Sequence, residues 1–177
     1  MIDSKRGGMV IVGLLIILGF AARLLPHPAN FAPIGAIALF GALYLPKRYA
    51  IIAPLLGLFL SDLVIGFYTW QTMISVYVSF IVMGMIGLAV RKRKTFGTVI
   101  GGTLLGSILF FLLTNHAVWR FDGMNPMNAS GLLQSYVMAI PFFKYTVLGD
   151  MFFVGILVGG MELVSRYAFE KNLATLE

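Results

Sequence analysis

Residues 72–116 read TMISVYVSFIVMGMIGLAVRKRKTFGTVIGGTLLGSILFFLLTNH. Two apolar runs, 72–90 and 98–116, flank the four consecutive basic residues 91–94. Each run is close to the roughly 20 residues that an α-helix needs to cross the hydrocarbon core of a bilayer. Because short cytoplasmic loops are enriched in Lys and Arg, this stretch predicts a transmembrane helical hairpin whose loop faces the cytoplasm.

The whole chain has the same membrane character. Of its 177 residues, 59% are hydrophobic and only 11% are charged, whereas soluble domains carry about 25% charged residues. The net charge of +6 comes from clusters at the ends of apolar runs, which is where topology signals lie. We therefore expect a lipid bilayer, and not a nucleic acid, as the surrounding partner.

Several kinds of chemistry lack their usual sequence signals. The chain has no cysteine and two histidines, and it contains no HExxH motif, so we expect no metal site and no cofactor. It has no GxxxxGK[ST] phosphate loop and no GxSxG nucleophile motif. We predict no catalytic residue and no enzymatic activity. A membrane enzyme with His116 as a base is the weakest alternative, because no nucleophile accompanies that histidine.

Apolar runs and helix breakers predict a single integral membrane domain, 1–177, with six transmembrane helices at about 9–25, 33–45, 49–67, 72–90, 98–116 and 141–166. The first run could be a signal peptide, but the rest of the chain also spans the membrane, which favours a transmembrane helix. We interpret residues 130–140 as an outer or re-entrant helix that ends in a break at Pro141. Counting it as a seventh span would move Arg166 and Lys171 to the opposite face.

The basic residues fix the predicted orientation. Ten of the 13 Lys and Arg residues lie before the first span, between spans two and three, between spans four and five, and after the last span. With six spans these segments share one side, which the positive-inside rule makes cytoplasmic. The prediction is an all-α, multi-pass protein of a bacterial inner (cell) membrane, with both termini in the cytoplasm.

Polar side chains inside the spans converge on the opposite, outer half. They are Arg23, Asp62, Asn115, His116, Lys144 and Asp150. A charge at mid-bilayer costs about 2.5–3.5 kcal/mol on insertion scales, so such groups usually face a partner or a wet cavity. Interhelical ion pairs, such as Arg23 with Asp62 or Lys144 with Asp150, are the structural alternative. Glu162 lies near the inner end, where Arg166 follows one turn later and can pair with it.

Aromatic, amide and basic residues of the outer segments surround this cluster. We include in the candidate substrate-binding set Asn30, Tyr68, Trp119, Arg120 and Tyr136. Rings that stack a flat ligand, together with a few polar groups that orient it, are typical of small-molecule pockets. The loop at 26–33 holds three prolines, which make it stiff, so it could cap a pocket or serve as a rigid connector.

Four strings carry a resemblance to a known group: RLLPHPANFAPIGAIALFG at 23–41, SDLVIGFY at 61–68, AIPFF at 139–143, and Gly149-Asp150. The chain resembles a family of uncharacterised small bacterial membrane proteins that is similar to the S (substrate-binding) components of energy-coupling factor (ECF) transporters. The resemblance covers nearly the whole chain. In place of the AxxxA-type docking motif frequent on the first helix of S components, this chain has Gly13, Gly19, Ala21 and Ala22.

The resemblance implies a six-helix, S-component-like bundle with a vitamin-like solute bound near the outer face and a lid from the first outer loop. It also implies a transmembrane coupling protein and two ATPases as partners. The leading hypothesis is therefore a transport subunit that captures a small solute from the extracellular side. The alternative is a structural or assembly subunit of a membrane complex, in which the same polar residues hold helices together and no small molecule binds.

Overall fold

The computed structural model describes residues 5–174, with side chains described for residues 7–167. This part of the chain is helical and contains no strand. Its α-helices are α1 (Lys5–Leu24), α2 (Ile34–Tyr44), α3 (Lys47–Ile65), α4 (Trp70–Val90), α5 (Phe96–Phe121) and α6 (Ala129–Ala174), and a single 3-10 turn, Arg91–Arg93, follows α4. Five of them contain segments long and apolar enough to cross a membrane. The structure thus confirms the predicted all-α membrane class.

The short helix α2 lies at the centre of the bundle. Its residues 34–43 are all buried, and it contacts α3, α4, α5 and α6. A helix that is apolar all round can be buried on every side, and the small residues of IGAIALFGALY allow the neighbouring helices to come close. Its 11 residues span only about 16 Å, so α2 is shorter than the hydrocarbon core and lies within the protein.

The predicted break at Pro141 is wrong. Helix α6 runs without interruption through 46 residues, and Pro141 lies inside it. Proline removes one main-chain hydrogen bond, and membrane helices tolerate that loss where local adjustments or neighbouring helices satisfy the freed carbonyl group. The segment 130–140 is therefore the first part of α6. It is held against α5, since the Tyr136 hydroxyl donates to the Leu112 carbonyl oxygen at 2.9 Å.

Contacts at one end of the bundle bring the basic segments 47–48 and 91–94 close together. The Arg91 guanidinium donates to the Leu45 carbonyl oxygen at 2.8 Å, just before the basic pair at the start of α3. Lys94 lies 2.6 Å from the Glu162 carboxylate, which also accepts a hydrogen bond from Tyr44. Glu162 thus pairs with Lys94 instead of the predicted Arg166, because the turn before α5 brings Lys94 beside α6. The side chains of Lys5, Arg6 and Lys171 lie outside the described residues.

Candidate functional site

An ion pair joins α1 to α3 at the other end of the bundle. The Arg23 guanidinium lies 2.7 Å from the Asp62 carboxylate, whose side chain is only 1% exposed. The same Nη1 atom donates to Ser61 Oγ and to the Leu58 carbonyl oxygen. Tyr77 on α4 donates to the second oxygen of Asp62 at 2.8 Å. The predicted alternative of an interhelical pair therefore holds for Arg23 and Asp62.

Beside this pair lies a cavity of about 540 Å³, within the range of about 300–1,000 Å³ that is usual for small-molecule sites. The 26–33 segment contributes to it together with all of α1–α6. Four of the predicted site residues line it, namely Arg23, Asn30, Tyr68 and Asp150. The Nε and Nη2 groups of Arg23 bind no other described residue, so they remain available to an acceptor in the cavity.

Asp150 supplies a carboxyl group from α6. It is only 5% exposed, and its Oδ2 accepts a hydrogen bond from Ser107 on α5 at 2.6 Å. Its Oδ1 packs beside the Cα of Gly35, where any Cβ would overlap it. A side chain at position 35 would therefore require the carboxyl group to move away from the first turn of α2.

The 26–33 segment covers part of the cavity. Phe31 donates its main-chain N–H to the Pro28 carbonyl oxygen at 3.0 Å, and the left-handed backbone of Asn30, with φ of 67°, completes the turn. The Phe31 ring lies 5.8 Å and 5.6 Å from the rings of Phe152 and Phe153 on α6. A compact turn with an aromatic anchor thus holds this segment over the site.

Tyr68 lies between α3 and α4, at the rim of the cavity. Partial burial, reinforced by the nearby negative charge of Asp62, raises the pKa of its phenol to about 12. Tyr68 therefore stays neutral over the physiological pH range. Its hydroxyl can donate to or accept from a ligand, and its ring presents an apolar face.

A second cavity, of about 330 Å³, adjoins the first and shares Asn30, Val76, Phe110 and Thr146 with it. Asn115 lines this neighbour, and its Nδ2 donates to the Phe111 carbonyl oxygen at 2.8 Å. The Asn115 amide thus donates a hydrogen bond to its own helix. Of the two cavities, a ligand would contact this side chain only from the second.

The remaining predicted residues line neither cavity, so the structure does not bring the whole predicted set together in one pocket. Asp62 is enclosed by its partners. The His116 ring lies 5.5 Å from that of Trp119, whose indole N–H donates to the Pro126 carbonyl oxygen. The Arg120 guanidinium lies over the Phe121 ring, and the Lys144 ammonium group lies over the Tyr145 ring. Tyr136 contacts Phe111 and Leu112.

Several residues that line the cavity were not predicted from the sequence. Ser79 and Thr146 bring hydroxyl groups, and Phe80, Met83 and Phe110 form an apolar wall. The hydroxyl residues Thr72, Ser79, Thr103, Ser107 and Thr146 are buried although they interrupt apolar runs. A hydroxyl residue within an apolar run was therefore the sequence signal that could have identified these inward-facing positions. Among the described residues, no group of three His, Cys, Asp or Glu side chains could hold a metal ion.

Comparison with known proteins gives one relationship. The model of a family of unknown function, DUF6580, matches residues 4–173. Comparison with curated proteins and with solved structures finds no match. The family match covers nearly the whole chain and extends over every helix that borders the cavity. The chain therefore belongs to the family of unknown function DUF6580.

Proposed function

We propose that this protein is a membrane transport subunit that captures a small solute from the extracellular side, as the S component of an ECF-type transporter does. The observation that carries the proposal is the cavity of about 540 Å³ bordered by Arg23 and Asp150. Both groups keep unused hydrogen-bonding capacity that faces the cavity. Charged groups in a membrane protein are costly, and unused capacity of this kind is typical of a ligand site.

Capture of a solute is supported by a division of roles among the polar side chains: some bind other helices, and others line the cavity. Asp62 is fully engaged by Arg23 and Tyr77, so it fixes the Arg23 side chain at the edge of the cavity. Asn30 and Tyr68 add neutral donors and acceptors around the same space. A set of fixed polar groups around an apolar wall is the usual composition of a small-molecule pocket.

Energy for transport would come from other chains. The sequence has no phosphate-binding loop, so ATP-driven uptake would require a transmembrane coupling protein and two ATPases, as the resemblance to S components implies. The bacterial inner membrane and the cytoplasmic position of both termini belong to the same proposal. The ten clustered basic residues support this orientation.

A ligand screen on the purified full chain tests capture. Thermal unfolding in detergent is followed by tryptophan fluorescence with a library of water-soluble vitamins, amines, alcohols and carboxylates. A compound that binds only the folded state must raise Tm. Asn30→Gly removes a cavity amide while tolerating the positive φ, and Asn125→Gly, outside the cavity, is the matched control. We expect a positive compound whose shift falls with the first variant and not with the second.

The alternative function is a structural or assembly subunit without a small-molecule ligand. The Arg23–Asp62 pair favours it, because an interhelical ion pair contributes to the bundle whether or not a ligand binds. Failure of every compound in the screen, together with no small molecule in extracts of the folded protein by mass spectrometry, would contradict capture and favour this alternative.

A further inference from the structure

Asp150 is a buried acid with an unused acceptor that faces the cavity. Ser107 donates to its Oδ2, whereas Oδ1 accepts from no other residue in the described part of the chain. Oδ1 is not fully enclosed by the protein, and Asp150 lines the cavity, so this oxygen is open to the cavity. A hydrogen-bond donor on a ligand could therefore supply the partner that Oδ1 lacks.

No described cationic side chain lies within ion-pair distance of Asp150. Among the described side chains, the ion pairs within 4.0 Å are Arg23–Asp62 and Lys94–Glu162. Lys144, on the same helix, extends its ammonium group toward the Tyr145 ring, 5.6 Å from the ring centroid. The pair Lys144–Asp150 considered from the sequence therefore does not form.

We infer that the captured solute carries a protonated amine joined to an apolar or aromatic body, and that the amine docks on Oδ1 of Asp150. This inference rests on the proposed capture function. A charge-assisted N–H···O bond is about twice as strong as one between neutral groups. The cost of an unpaired carboxylate within the membrane favours a cationic partner over a neutral one.

The walls beside Asp150 fit the rest of such a molecule. Phe80 and Phe110 line the cavity with ring centroids 5.2 Å apart, and Met83 lies next to them. Aromatic faces attract cations, and thioether sulfur contacts rings favourably. The free N–H groups of Arg23, which lines the same cavity, would meet an acceptor on the solute.

Three ring-matched probes test the charge preference on the unaltered full chain in detergent: benzylamine, benzyl alcohol and benzoate. They share a ring and a similar size but carry a cation, a neutral hydroxyl and an anion. We expect benzylamine to raise Tm, and to bind at least about tenfold more tightly than the other two, since hydrogen bonds to charged groups are the stronger ones. Tighter binding of the alcohol or the carboxylate would overturn the inference, because a cationic amine would then not be the group that the cavity prefers.

Two variants locate the amine. Asp150→Asn keeps the size of the side chain and removes its charge. Gly35→Ala keeps the acid but forces its Oδ1 to move, because the new Cβ would overlap the present position of that atom. Each should lower the affinity for benzylamine at least about tenfold. Glu162→Gln, at the opposite end of the bundle, is the matched control and should leave it unchanged. Unchanged affinity in a folded Asp150 or Gly35 variant would contradict the assignment.

The outcomes separate this inference from the capture function. Binding of anionic or neutral compounds only, weakened by Asn30→Gly, would leave capture standing and overturn the amine preference. No binding by any compound, including the amines, would contradict both. Should Asp150→Asn fail to fold, the comparison of the three probes on the unaltered protein still decides the question.

Discussion

The guanidinium of Arg23, at the end of α1, lies 2.7 Å from the carboxylate of Asp62 on α3. Because α1 contacts α3 far more than any other helix, this pair fixes the C-terminal end of α1 to the bundle. It also leaves two nitrogen atoms of Arg23 free for the cavity. One side chain therefore links the stability of the fold to the geometry of the site.

Loss of the Asp62 charge should destabilise the protein. Asp62→Asn leaves Arg23 without its counter-ion, and breaking a buried ion pair costs about 3–5 kcal/mol. We expect a clear fall in Tm in detergent, measured by tryptophan fluorescence. Asp122→Asn is the control, because Asp122 accepts a hydrogen bond from Thr72 and forms no ion pair within 4.0 Å among the described residues. Equal Tm values for the two variants would refute a structural role for the pair.

Close packing of α2 against α4 gives a second prediction. A Cβ at Gly87 would lie 2.6 Å from the Cβ of Ala42 and 3.1 Å from the Leu39 carbonyl oxygen. Neither atom can move without moving α2, so Gly87→Ala should cost about 1–3 kcal/mol through overpacking. Gly101→Ala is the matched control, since nothing lies within 4 Å of its Cβ position. A Tm for Gly87→Ala as high as that of the control would show that the helices are less tightly packed.

The 26–33 segment should depend on its aromatic anchor. Phe31→Ala removes the contacts with Phe152 and Phe153, so the segment should open more often. Hydrogen–deuterium exchange of its backbone amides should then be faster. Phe67→Ala, which alters another outer loop, is the control. If exchange in 26–33 stays the same in Phe31→Ala, the anchor does not hold the segment closed.

Alkaline titration should show the raised pKa of the Tyr68 phenol. The folded-state pKa of its phenol, about 12, exceeds the ordinary value of 10.0. The folded protein therefore keeps a proton that the unfolded chain releases. This contribution to stability is complete below pH 10 and is lost as the pH rises toward 12. Tyr68→Phe should flatten the pH dependence of Tm in this window, and tyrosinate absorbance should lose a late-titrating group. Loss of a group that titrates near the ordinary value of 10.0 would contradict the raised pKa.

The sequence predicted the helices more successfully than the side chains that line the site. Long apolar runs placed α3, α4 and α5 to within a few residues, because spanning length is a strong constraint. The break predicted at Pro141 is absent, since proline inside a membrane helix is tolerated when neighbouring groups compensate. The buried α2 was predicted as a short span, and its position at the centre of the bundle required the contacts of all its neighbours.

The individual residues of the site were harder to predict for a specific reason. On α6 the buried face carries Ala139, Thr146, Asp150, Val154 and Val158, spaced mainly four residues apart. Lys144 lies off that face. Helices that are apolar on every side give no periodic signal that separates the faces toward lipid and protein. The sequence therefore left both Lys144 and Asp150 as candidates, and the structure identified Asp150 as the inward-facing one.

The most direct test of the central claim is the reactivity of single cysteines toward a membrane-impermeant thiol reagent applied to intact cells. The natural chain has no cysteine, so each introduced thiol reports alone. Val76 lines the cavity, whereas Val78, on the same helix, is 43% exposed on the outer surface of the bundle and lines neither cavity. We predict that Val76→Cys reacts from outside and that Val78→Cys, facing lipid, does not. An unreactive Val76→Cys, or one that reacts only in inverted vesicles, would contradict a water-filled cavity open to the extracellular side.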